Sequence, residues 1–162
     1  GVPLVLAVCA GAVAALAGIR QQVTYEAQAP IELEAAIDPL GDDTAYPLGI
    51  VPDGSAWIID TGPLFGALIE DLKSRVPVGT TSRRFHNGLV DIFTQLADRA
   101  RIRSGLTRVC LSGGTFQNIY LLRGLQASLQ SHGFEVFSHS EVPAGDGGLS
   151  LGQALVASRR RA

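Results

Sequence analysis

VCLSGGTFQNIYLLRGL, from Val109 to Leu125, is the stretch on which the fold turns. Val109, Cys110 and Leu111 form an apolar run of strand length, and Ser112, Gly113 and Gly114 break it with a tight turn. Leu121, Leu122 and Leu125 then recur at helical spacing, so the chain passes from strand to turn to helix. That helix stops at Gly133, a residue suited to the left-handed conformation just past a helix end. FEVFSH, from Phe134 to His139, predicts another strand, and VPAGDGG, from Val142 to Gly148, a second glycine-rich loop. LSLGQALVASRRRA, from Leu149 to Ala162, predicts a last helix whose basic end complements its dipole. This alternation predicts an α/β fold with a mainly parallel sheet.

Upstream, YPLGIV from Tyr46 and SAWIID from Ser55 predict two strands around Pro52-Asp53-Gly54-Ser55, a hairpin signal. Pro63 opens a helix reaching Arg75, with Leu64, Leu68, Ile69 and Leu72 on one face and Thr61 as candidate N-cap. A longer helix runs from Thr80 to Arg103, with Phe85, Leu89, Ile92, Phe93, Leu96 and Ala100 as its buried stripe. Ile31, Leu33, Ala35, Ala36 and Ile37 predict a short helix with Pro30 near its first turn. Glu32 and Glu34 read as its solvated face.

The 162 residues suit a single domain, 1–162, with one core. A chain 46% hydrophobic and only 17% charged is not disordered. Thirteen basic and 15 acidic residues give a net charge of −2, too little positive field for a nucleic-acid partner. Two cysteines, Cys9 and Cys110, cannot build a disulfide framework or a four-thiolate metal site. Methionine is absent, and the chain opens on an uncharged run from Val2 to Ile19, which suggests a piece of something longer or a processed product. The run is long enough for a membrane span. Its high alanine and glycine content weakens partitioning into lipid, and no basic segment precedes it. A half-buried soluble helix ending near Gly18 is the favoured reading.

Candidate chemistry sits in the two glycine loops. Gly113 and Gly114, between a strand and a helix, would let main chain approach a ligand, and the helix start beyond would offer free N–H groups to an anion. A tight turn with no ligand explains the same residues, and neither loop carries a P-loop or GxGxxG pattern. Asp146, flanked by Gly145, Gly147 and Gly148, could reach a metal or hydroxyl, or simply form a turn or cap. Both loops follow strands, so both could face one crevice beyond the sheet. His86 reads as a packing or surface histidine, His132 as a capping partner and His139 as a strand end near the Asp146 loop; no pair has metal-site spacing. Cys110 reads as an inert core thiol.

GIRQQVTYEAQAPIELEA, SRRFHNGLVDIFTQLA, VCLSGGTFQNIYLLRGL and VPAGDGGLSLGQAL resemble, in that order, the C-terminal part of HypF-type carbamoyltransferases, maturation factors for nickel–iron hydrogenases. The resemblance covers roughly Gly18 to Ala157, and SGGTFQN with GDGGLSLGQA is its most specific part. It implies the second lobe of an actin/hsp70-like (ribonuclease H-like) domain, a mixed β-sheet flanked by helices. It implies transfer of a carbamoyl group from carbamoyl adenylate, made from ATP, to the C-terminal cysteine of a HypE-like protein in the cytoplasm, with no membrane. By motif match, Gly113, Gly114 and Asn118 would line the adenylate, and Glu26 would lie near its ribose. Gly147 and Gly148 would admit the nucleotide, and Asp146 would hold a divalent metal, whether zinc, iron or magnesium.

Several departures bear on this. Two metal-binding histidines of the family lie in a first lobe that this chain lacks, as are the acylphosphatase, zinc-finger and adenylate-forming domains. Residues 1–11 depart from the family pattern, and Ala27 stands where the family favours glycine. The isolated chain is therefore expected to be incomplete as a catalyst. A related O-carbamoyltransferase, a tRNA threonylcarbamoyl-transfer domain and a non-catalytic truncated fragment are the alternatives.

Overall fold

The computed structural model describes residues 2–54 and 56–159, and for residues 2–7 the backbone alone. Ser55 of the expected hairpin turn and Arg160 and Arg161 of the basic C-terminal end lie outside the described residues. The order is α1 (Val2–Leu16), α2 (Gln28–Ala35), β1 (Gly49–Asp53), β2 (Ala56–Asp60), α3 (Gly62–Lys73), α4 (Val78–Ser104), β3 (Arg108–Leu111), α5 (Ile119–Ser131), β4 (Glu135–Ser138) and α6 (Leu149–Arg159). Short 3-10 turns at Gly114–Gln117 and Asp146–Gly148 lead into α5 and α6.

The apolar opening run is a half-buried helix. Val13 and Ala14 are fully buried, whereas Val8 and Leu16 are exposed. Gly18 ends α1 at φ 76°, with its N–H on the Ala15 carbonyl and that of Ile19 on the Ala14 carbonyl, the two bonds of a Schellman cap. No described helix is long and apolar enough to cross a membrane. Glu32 is not merely solvated: it takes both Arg20 Nε and Nη2, at 2.8 and 2.6 Å.

Helix α4 is the spine. Phe85 and Leu89 on its buried stripe share one core cluster with Leu33 of α2, Leu64 and Leu68 of α3 and Leu121, Leu125 and Leu129 of α5, and Ile92 on the same stripe is buried. Leucines four residues apart put α5 flat along α4. Tyr46 does not start a strand as expected: its N–H bonds the Arg84 carbonyl at 2.9 Å and its hydroxyl donates to Asp71 at 2.7 Å. Gly88 permits this, since a Cβ there would lie 2.5 Å from the Tyr46 carbonyl oxygen. The class is α/β, but its strands form two small sheets. β1 and β2 make the antiparallel hairpin, and β3 pairs with β4 in parallel. With no further strand beside β3 among the described residues, Cys110 is exposed, which corrects the core-thiol reading.

Candidate functional site

The two glycine loops do come together. Gly113 donates its N–H to the Ala144 carbonyl at 2.8 Å, which ties the turn after β3 to the loop after β4. Parallel pairing of β3 and β4 forces this neighbourhood, because it puts both strand ends on one edge. A Cβ on Gly145 would lie 3.2 Å from Gln117 Nε2 and 3.7 Å from Gly114 Cα, so the loops pack side by side. Beside them lies an open cleft of about 740 Å³, lined by Ser112, His139, Ala144, Gly145, Gly148 and the α6 face at Gln153. His139 Nε2 and Ser112 Oγ are 2.9 Å apart at this cleft. Neither was a leading candidate from sequence; their strand-end positions were the available signal.

The individual residues divide by what their atoms already do. Gly113 adopts φ 109°, ψ 163°, a conformation essentially confined to glycine, and the space where a Cβ would stand is open there and at Gly114. The backbone N–H groups of Gly114 and Thr115 have no partner among the described residues. At the start of α5, two of the expected free N–H groups are already taken. Asn118 Oδ1 takes the Leu121 N–H at 2.8 Å, and the Glu34 carboxylate takes that of Tyr120 at 3.1 Å. An anion would therefore find its N–H donors chiefly one turn earlier, in the 3-10 segment. Asn118 also donates from Nδ2 to His86 Nε2 at 2.9 Å. Gly148 is needed by its own loop, since a Cβ would meet the Pro143 carbonyl oxygen at 2.6 Å, whereas at Gly147 it would make ordinary contact with the Pro143 ring.

Asp146 and Glu26 stand apart from this cluster. Asp146 is exposed at the start of the turn into α6, and its carboxylate bonds no described residue. No group of three or more histidine, cysteine, aspartate or glutamate side chains among the described residues could hold a metal. One carboxylate does not make a site, so this chain by itself does not fit the implied ion. Glu26 is exposed before α2 and does not line this cleft. Next to it, Ala27 sits at φ 62°, in the left-handed region where glycine is at home. His86 is only 2% exposed, and burial pushes its ionisation below the ordinary histidine range against smaller opposing pulls from the Ser82 carbonyl and Glu34.

Residues 10–153 match the family model described as "Carbamoyltransferase, Kae1-like Domain, second subdomain". The chain is 34% identical over 149 residues to a carbamoyltransferase HypF of Synechocystis, covering 92% of this chain and 19% of that protein. It is 36% identical over 155 residues to one from Rhodobacter capsulatus, with the same coverage of each. Its structure superposes on a full-length HypF crystal structure in phosphate- and nucleotide-bound form at TM-score 0.85 and 40% identity, covering 91% of this chain and 19% of that one. A HypF from T. kodakarensis shares the fold, at TM-score 0.73 and 23% identity over 90% of this chain and 19% of that one. The chain thus spans about a fifth of the length of these relatives.

Proposed function

The chain belongs to the HypF family of carbamoyltransferases, and from that membership we propose that it is the family's C-terminal nucleotide-binding lobe, working in the cytoplasm in hydrogenase maturation. Its substrate is carbamoyl adenylate, formed from ATP, and its acceptor is the C-terminal cysteine of a HypE-like protein. The cysteine, as thiolate after its proton has passed to solvent, attacks the carbamoyl carbonyl carbon, the carbon–oxygen bond to phosphate breaks, and AMP leaves with that electron pair. Gly113 and Gly114 let the main chain approach the phosphate, and the Gly114 and Thr115 N–H groups donate to it. Asn118 borders the adenylate and Gly147 and Gly148 give the nucleotide room, while Glu26, outside the cleft, would meet the ribose only where the nucleotide extends beyond it. Asp146 would supply at most one ligand to a divalent ion, zinc, iron or magnesium, whose other ligands would have to come from regions outside this chain.

The observation that carries this reading is the Gly113–Ala144 hydrogen bond, which brings the two motif loops to one cleft. The test replaces the matching fifth of a full-length relative with this chain. ATP-dependent carbamoyl transfer to a cysteine-ended peptide is expected, and Gly113→Ala should weaken ATP binding about tenfold or more, because alanine pays ~1–3 kcal/mol at this backbone conformation. Transfer to a hydroxyl acceptor alone would overturn the acceptor assignment.

A further inference from the structure

His86 lies outside the motif loops, yet it touches one of them through a fully specified chain of bonds. Its Nδ1 is 2.8 Å from the Ser82 carbonyl oxygen, which can only accept, so Nδ1 carries the proton. Nε2 is then a bare lone pair, and it faces Asn118 Nδ2 at 2.9 Å. That contact leaves only one orientation for the Asn118 carboxamide, the one in which Oδ1 receives the Leu121 N–H. Ser82 in turn donates its hydroxyl to the Leu33 carbonyl, which fastens α4 to α2. A carboxamide turned over would set its oxygen against the imidazole lone pair and its N–H₂ against the Leu121 N–H, two repulsive contacts in a partly buried place.

We propose that His86, held as the neutral Nδ1–H tautomer, is a positioning residue: it fixes the Asn118 carboxamide, and through it the geometry of the Gly113–Asn118 turn. The inference rests on the reading of that turn as the nucleotide-facing loop. The second Asn118 N–H remains for a ligand acceptor. The groups facing the ring are the Ser82 carbonyl and hydroxyl and Phe85 from α4, Asn118 at the cap of α5 and the Tyr120 ring within it, and Glu34 from α2, whose carboxylate acts on it. Protonating Nε2 would set two donors against each other and release the carboxamide.

The experiment compares wild type, His86→Gln and His86→Leu by nitrogen-15 NMR and hydrogen exchange of the whole chain, with ATP titration alongside. Glutamine can place Oε1 where Nε2 stands and accept from Asn118; leucine fills similar space without an acceptor. Wild type should show the Nδ1–H tautomer and Asn118 amide signals that stay fixed until the pH drops below the ordinary histidine range. His86→Leu should shift the Asn118 signals and speed Leu121 amide exchange about tenfold, the loss of one hydrogen bond, while His86→Gln keeps both near wild type. The Nε2–H tautomer in wild type, or unchanged Asn118 and Leu121 signals in His86→Leu, would overturn the proposal. A correct tautomer and rescue by glutamine, with no ATP binding by wild type, would leave the positioning role intact and count against the nucleotide reading.

Discussion

The turn after β3 and the loop after β4 carry the same kind of sequence, small residues and glycines running into a helix, but the molecule holds them very differently. Asn118 at the end of the first turn is bound to His86 of α4, and Glu34 of α2 braces Tyr120, two residues further on. α5 beyond it buries Leu121, Leu125 and Leu129. The second loop is joined to this frame through Ala144, and none of the described residues of α6 is buried; Leu149, Leu151, Leu155 and Val156 are all more than half exposed. The first turn is thus a fixed template and the second a surface segment set against it. Precise placement of a ligand must come from the template side.

The sharpest way to break this contrast is a matched pair of truncations. Leu121 is 2% exposed and Leu151 58%. Leu121→Ala should cost ~2–5 kcal/mol in urea denaturation, as lost transfer energy plus a cavity. Leu151→Ala should stay within ~0.5 kcal/mol. Comparable losses at the two sites would mean that α6 is packed after all.

A smaller effect probes the join itself. Gly148→Ala drives a methyl into the Pro143 carbonyl, while Gly114→Ala puts one into open space. The first should cost ~1–3 kcal/mol of local strain, read as faster amide exchange at Gly113 once Ala144 shifts. The second should leave that exchange unchanged. Equal effects would show that the second loop yields freely.

The next effect is a pH dependence confined to the template. His86 is neutral when folded, and its ionisation lies below that of the unfolded chain. The unfolded state therefore binds the extra proton first. The His86 contribution is fully present above the ordinary histidine pKa of ~6.5. It declines as the pH falls from there toward the lowered folded value, by at most ~1.4 kcal/mol per pH unit. His86→Leu should lower stability at pH 8 yet flatten the slope of the denaturation midpoint between pH 7 and 5; an unchanged slope would assign the titration elsewhere.

How much of this was legible follows from the length scale of each signal. Periodicity along α4 and α5, the Gly18 and Gly133 stops and the Asp53-Gly54 hairpin are local, and each falls within a few residues of its expected place. The crevice shared by the two loops was legible because parallel strands place their ends together. Glu34 reaching Tyr120 spans 86 residues, and His86 reaching Asn118 spans 32, so neither contact leaves a mark on any local pattern. That is why the start of α5 looked free and His86 looked ordinary. Cys110 was misread for a similar reason: its apolar strand implies neighbours on both sides, and the described residues supply one.

Ala27 offers the smallest and cleanest test of the template, because it lies at the root of α2, the helix that supplies Leu33 and Glu34. It sits at φ 62°, ψ 9° as the residue before Gln28 and caps the helix with no side-chain hydrogen bond. Its methyl is therefore strained in the folded state and gives nothing back. An L-residue pays ~1–2 kcal/mol in this region, whereas glycine pays part of that back through its freer unfolded chain, ~0.4–1 kcal/mol. Ala27→Gly should then gain ~0.5–1 kcal/mol, a small rise in the urea midpoint with unchanged slope, together with slower exchange at Tyr120 as α2 firms. A lower midpoint would mean that the entropy of the unfolded chain outweighs the strain, and that the glycine favoured at this place serves something other than the backbone's handedness.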